Sequence, residues 1–154
     1  MTERNATQAE AATRLLELIQ IRLISESIHV AAALGVADLL TDEPKTVEQV
    51  AEATGVSAPS LRCVMRALAS FSVFSEDSAN RFSLAPMGEL LRRDLAGSLN
   101  APALFFGGET GASTLRLFLE CIKTGESATE KLSGGKRLSQ NKCINTRSEL
   151  ISWN

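Results

Sequence analysis

The first strong pattern along the chain is a helical one, from about Thr7 to Leu34. At roughly 100° per residue, Leu15, Leu16, Ile19, Leu23, Val30 and Leu34 fall on one face. Ile21, Ile24, Ile28 and Ala31 form a second apolar stripe on another side. The remaining sector carries Arg14, Arg22, Ser25 and His29, with Leu18 as its apolar exception. One apolar face suffices to dock a helix on its own domain. Two predict that the second is buried elsewhere, and a partner subunit is the simplest candidate.

GVADLL, residues 35–40, then predicts a chain reversal with a short helix, followed by a polar loop over 41–45. Thr46 with Gln49 reads as a capping box that opens a helix. That helix ends at Thr54-Gly55, where glycine can take the left-handed conformation. Ser57 is an N-cap candidate for a further helix, with Pro59 tolerated in its first turn. Leu61, Val64, Met65 and Leu68 are its buried positions, and Arg62, Arg66 and Ser70 point outward.

After Phe71 the period changes. Val73 and Phe74, then residues 81–84, flank a polar stretch and predict a β-hairpin. A helix is expected over 86–93, and interrupted helical character from Leu99 to Lys123. The order, with two helices around a tight turn followed by a hairpin, is that of a winged helix-turn-helix. The predicted fold is therefore mostly α, with a small hairpin wing and additional helices. A domain over 1–127 is expected, with a polar, poorly ordered tail over 128–154.

Composition narrows the reading. The chain has 154 residues, no Tyr and 5% aromatics, so Leu, Ile, Val and Ala must build its core. Its N-terminus is polar where a signal peptide needs an apolar core. No apolar run reaches the roughly 20 residues of a membrane span. Three scattered cysteines, Cys63, Cys121 and Cys143, make neither a metal spacing nor a disulfide framework, so a cytoplasmic setting is expected.

Candidate chemistry is thin. Gly107-Gly108 and Gly134-Gly135 lack the preceding apolar strand that a nucleotide-binding turn requires. His29 is the only histidine, and it reads as a surface or interfacial residue within reach of Glu26. Cys63, beside Arg62 and Arg66, reads as a partly buried filler rather than an activated thiol. No catalytic, cofactor-binding or metal-binding residue is assigned.

A winged helix also raises DNA binding, as a transcription regulator reading the groove with residues 58–70. Charge opposes it: residues 1–100 hold nine Lys/Arg against thirteen Asp/Glu, a net of −4. The hairpin tip, with Glu76 and Asp77, is acidic where a wing would meet phosphate. No nucleic-acid partner is expected.

The segments ALGVADLL, TVEQVAEATG, LRCVMRALASFSVF, RFSLAPMGELLR and ECIKTGESA, over roughly Leu15 to Ala128, carry a family resemblance. The chain resembles the N-terminal domain of bacterial and plant-type S-adenosylmethionine-dependent O-methyltransferases. The resemblance implies a winged helix adapted to dimerisation, which helps wall the pocket of a small methyl acceptor. The expected partner is a second copy, paired through Leu15, Leu16, Ile19, Leu23, Ile24 and Ile28. A separate catalytic methyltransferase subunit is a further expected partner. In that family the cofactor and a His base belong to a later Rossmann-like domain. Nothing after Ala128 resembles that domain, so the chain alone is expected to bind no cofactor and to be inert. Ser72 stands where the family often has glycine.

Overall fold

The computed structural model describes residues 2–126 and 128. The chain divides into two units, the first ending at Gly107 and the second beginning at Gly108. The expected tail, Ala128 apart, lies outside the described residues.

The first unit opens with α1 (Thr2–Ala33), longer at its start than the sequence pattern predicts. Gly35, at φ +66°, reverses the chain into α2 (Val36–Leu39). Next come β1 (Lys45–Thr46), α3 (Val47–Thr54) and α4 (Ala58–Ser70). The predicted capping box forms: the Gln49 N–H donates to Thr46 Oγ1, and the Thr46 N–H donates to Gln49 Oε1 at 2.8 Å. Gly55 closes α3 at φ +70°. Ser57 precedes α4 without a side-chain cap bond.

The wing is β2 (Phe74–Glu76) and β3 (Arg81–Leu84), antiparallel, with Phe74 opposite Leu84. Residues 41–45, expected as loop, end instead in a third strand. Lys45 pairs with Phe82 and Thr46 with Arg81, giving the order β1-β3-β2. Two residues are too few to show an alternating period.

The core lies where α1, α3, α4 and the sheet converge. Val36, Val47, Val50, Met65, Leu68, Phe74 and Phe82 are its largest fully buried side chains. Leu61, Met65 and Leu68 on α4 are buried as predicted, while Val64 is only half-buried. Ile24, Ile28 and Ala31 of the second α1 stripe pack here.

The helix expected over 86–93 is only α5 (Pro86–Glu89). Asp38 takes the Arg93 N–H at 2.9 Å and its guanidinium at 2.5 Å, drawing the chain away from helical geometry. α6 (Asn100–Gly107) then runs antiparallel to the end of α1. Asn100 is buried, and its amide donates to the carbonyls of Ala32 (3.5 Å) and Leu91 (3.1 Å). The second unit contains α7 (Glu109–Arg116) and α8 (Phe118–Thr124), the latter closed by Gly125 at φ +74°.

Candidate dimerisation interface

The two stripes of α1 have different fates. From Ile24 onward one side of the helix lies on the core. From Thr7 to Leu23 every residue is exposed, whichever way it points. This exposed segment is about 25 Å long at 1.5 Å per residue. Leu15, Leu16, Leu18, Ile19, Ile21 and Leu23 all lie on it, with Ile19 65% and Leu23 66% accessible. Of the six residues expected in core or interface, Ile24 and Ile28 contact the core and the other four face outward.

Such a segment cannot owe its helix to solvent. An isolated helix of this length is marginal in water, and helices in proteins gain most of their stability from packing. The ion pairs Arg14–Glu17 (2.8 Å) and Arg22–Glu26 (4.0 Å) decorate it, and exposed i,i+3 and i,i+4 pairs contribute a few tenths of a kcal/mol. Burying the apolar side chains is worth about 1.5–3 kcal/mol each. The arithmetic favours a covered helix.

Further apolar surface lies on α6, where Leu104, Phe105 and Phe106 are exposed and the two rings meet edge-to-face at 5.4 Å. Within the second unit Leu115, Phe118, Leu119 and Ile122 are exposed as well.

The residues weighed for chemistry are scattered. His29 is half-buried and turns to α6, where its Nδ1 lies 3.3 Å from the Ala103 carbonyl. Glu26, expected within its reach, lies beside Arg22 instead. Cys63 is exposed rather than partly buried, with Sγ 3.5 Å from the Pro59 carbonyl. Gly107 and Gly108 join α6 to α7 with no strand before them. Among the described residues no group of three His, Cys, Asp or Glu could hold a metal ion, and no helix is long and apolar enough to cross a membrane.

The outward face of α4 is electrically occupied. Arg62 is paired with Glu48. Arg66 donates through Nε to both Glu76 oxygens at 3.1 Å and through Nη2 at 2.9 Å. These bonds hold the Arg66 guanidinium above its ordinary range. Backbone hydrogen bonding, then Arg62, holds the Glu48 carboxyl below its usual range. At the wing tip, Asp77 is held low chiefly by the Arg81 N–H, with the Arg81 guanidinium adding to it. A groove-reading helix needs its cations free for phosphate and bases. Here each is turned onto a carboxylate of a neighbouring element.

Comparison with known proteins agrees with this picture. The family model of the O-methyltransferase dimerisation domain matches residues 16–94. A phenazine O-methyltransferase, PhzM of Lysobacter antibioticus, is 38% identical over 135 residues, covering 87% of this chain and 39% of the relative. Among solved structures, the mitomycin 7-O-methyltransferase MmcR superposes with a TM-score of 0.78 at 28% identity, over 84% of this chain and 39% of that one. The O-methyltransferase NcsB1 from neocarzinostatin biosynthesis, solved with S-adenosyl-L-homocysteine, gives 0.61 at 29% identity, over 78% and 40%. The chain thus spans about two-fifths of the length of the relatives it matches. A winged helix with paired cations, an uncovered apolar α1 and this match together place the chain in the O-methyltransferase dimerisation domain family.

Proposed function

We propose that this chain is the subunit-pairing and pocket-forming module of an S-adenosylmethionine-dependent small-molecule O-methyltransferase, and that it pairs with a second copy of itself. The observation that carries the reading is the first half of α1, an apolar helix on which every residue from Thr7 to Leu23 is exposed. Leu15, Leu16, Ile19 and Leu23 form the pairing surface, while Ile24 and Ile28 anchor the helix to the core. The exposed apolar side chains of α6 add further apolar surface in the same unit. Methyl transfer itself is assigned to no residue of this chain. The module works with a catalytic domain.

The test is a mass determination in solution joined to a calorimetric titration with S-adenosylmethionine and S-adenosylhomocysteine. A dimer with no heat from either ligand is expected. Ile19→Glu should weaken the dimer by about 2 kcal/mol or more, roughly thirtyfold in Kd. A monomeric wild-type chain would overturn pairing, and one-to-one binding of either ligand would overturn the absence of a cofactor site.

A further inference from the structure

The cover on α1 ends abruptly. Ile24, Ile28 and Ala31 pack on the core and Ser27 is buried, whereas every residue from Leu23 back to Thr7 is exposed. At that border the chain reads Leu23-Ile24-Ser25-Glu26-Ser27-Ile28. Serine is an indifferent residue inside a helix and a good one just before it, where its oxygen accepts the N–H two or three residues on. Ser25 is exposed and lies on the polar side of the helix, away from Leu16, Ile19 and Leu23. Glu26 follows it, an acid where the positive end of a helix would favour one. The Ser27 hydroxyl donates back across the border to the Leu23 carbonyl at 2.8 Å, a bond of the kind that slightly weakens a helix. The signals of a second helix start thus stand where the core takes over.

We infer that a lone chain keeps α1 only from Glu26 onward, with Ser25 as its N-cap, and that the half before it winds into helix when a second copy covers it. The inference rests on the pairing proposed above, and adds that the pairing surface is made by pairing.

The energetics turn on small terms. Once a helix has its nucleus, each further residue in water adds a propagation factor close to one, so without contacts the exposed half is poised between helix and coil. A good N-cap favours stopping at Ser25 by roughly fivefold. A partner reverses that preference. Leu16, Ile19 and Leu23 share a sector of about 60°, counting 100° per residue, and meet one surface together only when the backbone between them is helical. A lone chain then holds no rigid apolar rod out to solvent, and its open N-terminal stretch is a substrate for proteolysis that the paired chain withholds.

Dilution of the full chain tests this, with mass in solution, circular dichroism and amide exchange followed together. As the dimer dissociates, the helical signal should fall by about a quarter, along the same curve as the mass. In the dilute chain the amides of residues 9–24 should exchange as open chain, while those from His29 onward and those of α4 stay protected. Ser25→Ala removes the cap and favours the continuous helix, so it should tighten the dimer about tenfold although it lies off the pairing face. Ser25→Asn, which caps as well and is no better inside a helix, should not tighten it. A dimer that separates with its helical signal unchanged, or protection running through residues 9–24 in the lone chain, overturns the inference and leaves pairing intact. Loss of α4 protection at the same dilution means that the whole domain unfolds, and overturns it too. An open stretch that ends elsewhere, a Kd unmoved by Ser25→Ala, or equal tightening by Ser25→Asn overturns the role of Ser25. A chain that is monomeric at every concentration overturns the pairing and the coupling with it.

Discussion

Gly107 stands directly against His29: a β-carbon at Gly107 would lie 2.2 Å from the His29 Cβ and 2.5 Å from its Cγ. The last residue of α6 thus has no side chain because the ring of α1 occupies that space. Gly107→Ala should force α6 off α1 and destabilise the first unit by about 1–3 kcal/mol, the usual range for overpacking. Urea unfolding would measure it. A neutral result would mean that the backbone of α6 can shift away from α1 at little cost.

Ser72 ends the turn after α4 at φ +58°, a left-handed conformation that costs a residue with a β-carbon roughly 1 kcal/mol. Ser72→Gly relieves that cost, partly offset by the greater freedom of unfolded glycine. A gain in stability of up to about 1 kcal/mol is expected. A loss would show that the Ser72 side chain has a compensating role.

Asn100 is the polar residue that ties three segments together in the interior. Its amide reaches Ala32 at the end of α1 and Leu91 beyond α5. Asn100→Leu leaves both carbonyls without that donor, at a cost of about 1–3 kcal/mol. Thermal unfolding of the variant should show a lowered Tm, with Asn100→Asp no rescue because a carboxylate cannot donate.

Acid should loosen the wing and the turn that follows α5. Glu48 and Asp77 are held below their usual values, mainly by backbone N–H groups, and Asp94 by the Arg92 guanidinium. A depressed folded-state value means that the unfolded chain binds protons first as pH falls. The contribution is therefore complete at neutral pH, above the unfolded range of about 4, and is lost as pH drops through the folded values. Urea midpoints should fall along that limb. Asp77→Asn should flatten it, while a midpoint independent of acid would refute the coupling.

What was legible in the sequence was local. Thr46 and Gln49, three residues apart, announce a capping box because both bonds close within one turn. The stripes of α1 could be read because a helix repeats its angle. What escaped depended on distant partners. β1 has no period of its own and exists because Arg81 and Phe82 come alongside. Nothing near Asn100 says that it will be buried, and nothing near His29 says that it will face Ala103 rather than Glu26. The stripes revealed that α1 has two apolar sides, but not that the change from bare to covered falls at Ile24. That boundary is set by where the core ends.

Thr46 has two duties: it is the last residue of β1, opposite Arg81, and the N-cap of α3. No spacer separates sheet from helix, so neither can fray alone. Pulling β1 from β3 unlatches the Gln49 amide, and unwinding the first turn of α3 releases the strand. In an exchange experiment the amides on either side of this clasp should open as one cooperative unit, and the wing has no joint on which to swing.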